Sequence, residues 1–147
     1  MEKVVLQKTI LIGASPERIW EILVLDAYTR VWLAEFREGS FAESNWEPGS
    51  NIRFEDGNGT GMIGFIREMI PGRVLTFEYT GLLNAGREDL TSAEALAVRN
   101  TRESYRLTAE GDATRLTIAM DLPDEYFSLF NSLWDNALTK IKALAED

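Results

Sequence analysis

The sequence predicts an α+β domain, with an antiparallel sheet packed against one long C-terminal helix. Three observations carry that reading. In the stretch Leu122 to Ala145, Phe127, Phe130, Trp134, Ala137, Leu138, Ile141 and Ala145 recur at three- and four-residue intervals, with Tyr126, Leu133 and Leu144 beside them, which is helical spacing. From Phe36 to Met120 the chain instead breaks into short runs separated by the turn signals Pro48-Gly49, Asp56-Gly57-Asn58-Gly59, Pro71-Gly72 and Glu110-Gly111-Asp112. Strand-like and helix-like segments are segregated along the chain, whereas an α/β fold would alternate them.

Residues 3–12 are rich in aliphatic and β-branched side chains and read as a first strand, ended by Gly13. Ser15-Pro16-Glu17 then supplies an N-cap, a proline preset for the first helical position and an early acid, ahead of Ile19, Trp20, Leu23 and Val24 at helical spacing. Asp26 is placed to cap a second short helix through about Leu33, with Tyr28, Val31 and Trp32 available to pack. The runs 37–44, 50–55, 60–70, 73–80, 100–109 and 113–120 read as further strands, which makes seven with the first. After Gly72, Leu75, Phe77 and Tyr79 alternate with Val74, Thr76 and Glu78, so one face of that strand is aromatic. Leu116, Ile118 and Met120 alternate with Arg115, Thr117 and Ala119 in the same way, and both apolar faces are expected to meet the terminal helix.

On that helix the apolar positions cover an arc of roughly 140°, with Ser128, Ser132, Asp135, Thr139 and Lys142 opposite. Pro123, Asp124 and Glu125 mark its start, Lys140 and Lys142 its end, and its length is roughly 33 Å. The connection Gly81 to Arg99 is far longer than a hairpin loop, and loops of this length often serve as lids. Within it Thr91-Ser92-Ala93-Glu94 has capping-box spacing ahead of Ala95-Leu96-Ala97-Val98, which predicts a short helix. A plain surface excursion is the other reading of this segment.

A chain of 147 residues fits one domain, spanning 1–147, with a core large enough to need no staple. No apolar run approaches the ~20 residues of a membrane span, and the N-terminus carries no secretory pattern, so a cytoplasmic location is expected. With no cysteine, disulfides, thiol chemistry and Cys-based metal sites are excluded. A formal charge of −9 argues against nucleic acid as a partner, because phosphate binding needs clustered Lys and Arg. With no histidine, a conventional nucleophilic triad is impossible, and any acid–base chemistry falls to carboxylates, Tyr or Lys. Asp56-Gly57-Asn58-Gly59 lacks the spaced carboxylates and terminal Glu of a calcium loop, and Gly57-Asn58-Gly59-Thr60-Gly61 lacks the Lys and helix of a phosphate loop. No cofactor or metal is expected.

Taken together, the first strand, Ser15-Pro16-Glu17-Arg18-Ile19-Trp20-Glu21-Ile22-Leu23, the Trp32-bearing second helix, Gly61-Met62-Ile63-Gly64, Pro71-Gly72-Arg73-Val74-Leu75-Thr76-Phe77 and the Trp-bearing terminal helix form a recognisable series. It resembles the helix-grip superfamily, which includes START lipid-binding domains, pathogenesis-related plant proteins and polyketide cyclases and is often grouped as SRPBCC. Within it the sequence is most similar to bacterial proteins like the C-terminal domain of the activator of heat-shock protein 90 ATPase. The resemblance covers essentially the whole chain. It implies a curved seven-stranded antiparallel sheet wrapped round the long C-terminal helix, two short helices after the first strand, and a cavity between sheet and helix that holds an apolar or amphipathic ligand in many members. It brings no shared catalytic set. A chaperone partner is only weakly implied, because the activator's contact also uses a separate N-terminal domain for which 147 residues leave no room.

Trp32, Phe54, Phe65, Phe77, Tyr79, Tyr105, Phe127, Phe130 and Trp134 are the aromatics expected to face such a cavity. As a set they match the way small-molecule pockets are lined, with Tyr and Trp adding polar tips; each could equally be core filling. In Thr101-Arg102-Glu103-Ser104-Tyr105-Arg106-Leu107 the alternation that turns Tyr105 and Leu107 inward also turns Glu103 inward. An inward carboxylate must be paired, hydrogen-bonded or wet. One reading is a salt bridge with Arg67, Arg99 or another strand arginine; the other is that Glu103 and the hydroxyl of Tyr79 or Tyr105 receive a ligand's polar group, with Asn131 joining from the helix border.

Non-catalytic binding of a hydrophobic small molecule, such as a lipid or aromatic metabolite, is the leading functional reading. An enzyme of the cyclase or hydratase type using Glu103 and a Tyr is the second and requires Glu103 to be buried beside an open pocket with a raised pKa. A chaperone-related interaction module is the third.

Overall fold

The computed structural model describes residues 2–147. Its strands are β1 (Lys3–Ile12), β2 (Phe41–Ser44), β3 (Asn51–Glu55), β4 (Gly61–Ile70), β5 (Val74–Asn84), β6 (Arg87–Asp89), β7 (Arg102–Glu110) and β8 (Ala113–Pro123). Its helices are α1 (Pro16–Val24), α2 (Asp26–Leu33), α3 (Ala93–Val98) and α4 (Phe127–Glu146), with a 3₁₀ turn at Asp124–Tyr126. The strands form one eight-stranded antiparallel sheet in the order β1-β8-β7-β5-β4-β3-β2, with β6 paired to the far end of β5. Register shifts between Ile63 and Gly64 and between Ile66 and Glu68 interrupt the β4–β5 ladder, and bulges of this kind bend a sheet. At Gly64 a Cβ would collide with the Glu78 carbonyl, so the first shift depends on glycine.

The α+β class, the two helices after β1 and the long terminal helix match expectation; four local features differ. The sheet has eight strands instead of seven, because β5 runs on to Asn84 and turns back through Ala85 and Gly86, both at positive φ, into β6. Leu122 and Pro123 belong to β8, where they pair with Val4 and Lys3, and α4 starts only at Phe127. Pro123 is tolerated because it ends the ladder. Asp26 is the first residue of α2 and bonds Arg30 through its carboxylate, while Leu25 takes the cap position without a side-chain bond. The cap of α3 is Ser92, one residue later than the Thr91 capping box predicts. Ser15 does cap α1 by accepting from the Arg18 N–H, with Pro16 opening the helix.

Core burial follows the predicted faces. Leu116, Ile118, Met120 and Leu122 of β8, Leu6 and Ile12 of β1, Ile19, Ile22 and Leu23 of α1, and Trp32 and Leu33 of α2 join one cluster with α4. The buried residues of α4 are Trp134, Ala137, Leu138, Ile141 and Ala145, all in its later part. There Arg18 ties three helices, donating to the Tyr28 hydroxyl at 3.1 Å and to the Leu144 carbonyl at 3.2 Å. The 3₁₀ turn and the first turn of α4 are different: Tyr126, Phe127 and Leu129 are exposed. Helix and sheet are therefore closely packed at one end and parted at the other.

Candidate functional site

At the parted end lies a cavity of about 780 Å³, within the range on the order of 300–1,000 Å³ typical of small-molecule sites. Its wall is assembled from Trp32 and Leu33 of α2, Phe36 beyond it, Phe54 of β3, Met62 of β4, Tyr79 and Leu82 of β5, Ala97 and Val98 of α3, Glu103 and Tyr105 of β7, Met120 and Leu122 of β8, and Phe130 and Trp134 of α4. The wall is overwhelmingly apolar. Its aromatic rings interlock, with centroid separations of 4.9 Å for Phe36–Trp134, 5.8 Å for Tyr105–Trp134 and 6.2 Å for Phe54–Tyr79.

Three polar side chains stand together on this wall. Phe77 of β5 is directly opposite Glu103 of β7, and residues two apart share a face, so Tyr79 and Tyr105 fall on either side of the carboxyl group. The Tyr79 hydroxyl donates to Glu103 Oε1 at 3.1 Å and the Tyr105 hydroxyl donates to Glu103 Oε2. All three residues are buried. Burial raises the Glu103 pKa, and the two phenol hydrogen bonds oppose the shift without cancelling it. Both phenols are pushed well above their ordinary range, first by burial and then by the charge on Glu103, so they remain O–H donors. The salt-bridge reading of Glu103 is not realised: Arg67 pairs with Glu78 at 3.2 Å on the outer face of the sheet. Such a cluster can orient a ligand's polar group, or give and take a proton.

The rim is polar. Arg37 lies 3.3 Å from Asp56, whose Oδ1 also accepts from the N–H groups of Asn58 and Thr60. The Asn58 N–H does most to hold the Asp56 carboxyl below its usual range. The Asp56-Gly57-Asn58-Gly59 segment is thus a turn, as read from sequence, and it shapes one edge of the opening. Across the cavity, α3 is held by Asp89, which accepts from the backbone N–H groups of Thr91 and Ser92, the Ser92 hydroxyl and the Asn84 amide. Among the described residues no group of three or more Asp or Glu side chains converges in a way that could hold a metal ion.

Of the candidates read from sequence, Trp32, Phe54, Tyr79, Glu103, Tyr105, Phe130 and Trp134 border the cavity. Four do not. Phe77 is buried behind the wall between Phe54 and Tyr105, at ring separations of 5.3 and 5.8 Å. Phe65 pairs with Glu78 and Asn51 and so stands on the outer face, alternating along β4 with the inward Met62, Gly64 and Ile66. Phe127 is exposed, and the Asn131 side chain accepts from Lys8 Nζ at 2.9 Å, which fixes it to β1. The tryptophan tips are also not free: Trp32 Nε1 donates to the Ile22 carbonyl and Trp134 Nε1 to Met120 Sδ. Phe36 was missed, although its three-residue spacing from Leu33 continues the α2 face.

Residues 13–146 match the family described as Activator of Hsp90 ATPase homolog 1-like protein. The chain belongs to that family. The Activator of Hsp90 ATPase homolog 1-like fold recurs in solved structures. A protein from Chromobacterium violaceum superimposes with a TM-score of 0.72 at 18% identity, covering 97% of each chain. The solution structure of the Aha1 dimer from Colwellia psychrerythraea gives a TM-score of 0.69 at 19% identity over 97% of this chain and 96% of that one. DynU16, described as a putative protein in the dynemicin biosynthetic locus, gives a TM-score of 0.68 at 15% identity over 95% of this chain and 46% of its own. At these identities the likeness is one of fold, the helix-grip arrangement of the SRPBCC superfamily. No curated protein matches the sequence.

Proposed function

We propose that the chain acts as a single binding domain that holds a hydrophobic or amphipathic small molecule between the sheet and the first turns of α4, without catalysing a reaction. The observation that carries this reading is the cavity of about 780 Å³, apolar over most of its wall and bearing one buried polar cluster at Glu103, Tyr79 and Tyr105. The exposed Tyr126 and Leu129 on the cavity border suit an entrance for an apolar molecule. The test is an amide chemical-shift titration with fatty acids, sterols, flavonoid-like aromatics and long-chain amines. Saturable shifts at Tyr79, Tyr105, Phe130, Trp134 and the 81–99 segment are expected. Absence of shifts with every class defeats the reading.

A cyclase- or hydratase-type enzyme is supported by a specific observation, the placement of a buried Glu103 on the wall of an open cavity, where burial pushes its pKa up. It requires turnover that Glu103→Gln abolishes while leaving ligand affinity measurable. A chaperone-directed role draws on the family description and on the exposed apolar Tyr126, Phe127 and Leu129; a pull-down at high protein concentration that recovers no heat-shock protein 90 removes it.

A further inference from the structure

The buried side-chain donors on the cavity wall all have acceptors within the protein. Tyr79 and Tyr105 donate to Glu103, Trp32 to the Ile22 carbonyl, Trp134 to Met120 Sδ, and Thr101 to the Val98 carbonyl. What remains unfilled is acceptor capacity. A carboxylate offers about four lone-pair sites, of which two are used here, and each phenol oxygen keeps its own lone pairs once its O–H is turned to Glu103. A ligand head group reaching this cluster must therefore bring the hydrogens.

Charge points the same way. Acidic residues on the cavity border outnumber basic ones six to one, and the one base, Arg37, is turned to Asp56. The Asp121 carboxylate faces away, to the Arg102 N–H, but Glu94 and Glu125 are exposed at the border. The whole chain carries a formal charge of −9. An incoming anion meets a repulsive field outside and no free buried donor inside; an incoming cation meets the reverse.

Resting on the binding reading above, we propose that the cavity selects amphiphiles with a donor-rich cationic head, a protonated amine on an apolar body, placed against Glu103, and discriminates against carboxylate-headed lipids of the same body. An ammonium offers three donors and no acceptor, and in a desolvated site it supplies the charge partner that Glu103 lacks in the empty cavity. An alcohol of equal length offers one donor and no charge.

The experiment compares dodecylamine, dodecanol and dodecanoate below their micelle concentrations, following amide shifts of the full chain. The expected order is amine over alcohol over carboxylate, with the amine about tenfold or more tighter than the carboxylate, which corresponds to about 1.4 kcal/mol. Glu103→Gln is expected to cost the amine about tenfold and the alcohol about threefold or less. Dodecanoate binding in the cavity as tightly as dodecylamine overturns the selectivity while leaving the binding reading intact. Failure of all three to bind overturns the selectivity, and the binding reading falls with it only when sterols and flavonoid-like aromatics also leave the amide shifts unchanged. Val98→Trp, which places a large ring in the cavity wall, must abolish amine binding; binding that survives it is adsorption to the acidic surface and overturns the assignment. Should Glu103→Gln fail to fold, the three-ligand order on the unaltered protein still decides.

Discussion

The Tyr79 hydroxyl reaches the Glu103 carboxylate at 3.1 Å from the neighbouring strand, and Tyr105 reaches its second oxygen from two residues along the same strand. Neither contact is to a base. A buried carboxylate held only by two phenols is solvated by dipoles, without a counter-charge, which accounts for the upward direction of its pKa and leaves it able to accept more. The hydrogen-bond geometry also binds β5 to β7 on the face where the helix has lifted away, so this end of the sheet keeps its shape without close packing above it.

Removing one phenol tests that mutual dependence. Tyr105→Phe leaves Glu103 buried with a single donor, and a loss of about 1–3 kcal/mol in urea unfolding is expected. Glu103→Gln removes the charge, so Tyr105→Phe in that background should cost less. A coupling of about 0.5–3 kcal/mol between the two substitutions is expected; strict additivity would mean that the residues touch without depending on each other.

The pKa of Glu103 makes a signed prediction for stability against pH. Glu103 holds its proton more tightly folded than unfolded, so its contribution favours folding fully below the ordinary carboxyl value of 4.5 and is lost as pH rises through the raised folded value. Asp56, Asp89, Glu110 and Glu146 are shifted downward and act oppositely, adding stability above their unfolded values that is lost on acidification. The difference between the unaltered protein and Glu103→Gln isolates the first effect. That difference should be most favourable to the unaltered protein at low pH and decline as pH rises, by ~1.4 kcal/mol for each unit separating the two pKa values. A flat difference in unfolding midpoints across the range would contradict it.

The terminal helix shows where sequence reading succeeds and where it stops. Periodicity put Phe127, Phe130 and Trp134 on one apolar face, and so they are, but a wheel carries no information on how far the sheet extends beneath it. The side chains of α4 are buried only from Trp134 onward, so Phe130 borders a cavity and Phe127 borders solvent. Strand alternation placed Tyr79, Glu103 and Tyr105 together, because no irregularity intervenes among them. The same alternation turns Phe65 outward, opposite in parity to Met62 on the cavity wall and Ile66 in the core, so the strand pattern itself excludes Phe65 from the cavity. The identity of Glu103's partners was open for another reason, since an inward position does not say which neighbour arrives from the adjoining strand.

That contrast along α4 is measurable. Trp134 is 1% exposed, against 38% for Phe127. Trp134→Ala removes ring contacts to Trp32, Phe36 and Tyr105 and should cost about 3–5 kcal/mol. Phe127→Ala should cost under about 0.5 kcal/mol. Equal losses in thermal or chemical unfolding would place Phe127 in a core contact that the fold described here does not contain.

The wall formed by α3 depends on one carboxylate. Six residues cannot sustain a helix alone, and Asp89 gathers the Ser92 hydroxyl, the Ser92 and Thr91 N–H groups and the Asn84 amide, fixing the residue that caps α3. Those bonds, the Ser92 hydroxyl foremost, hold the Asp89 carboxyl below its ordinary value, so the clamp acts above that value and fails as pH falls through the folded one. Asp89→Ala should therefore speed amide hydrogen exchange across residues 91–99 by about tenfold, while β7 and β8 keep their protection. Because Ala97 and Val98 line the cavity, the same variant should weaken ligand binding with little change in global unfolding. If exchange in α3 is unchanged, the helix is held by burial of Ala95 against the sheet and not by the Asp89 clamp.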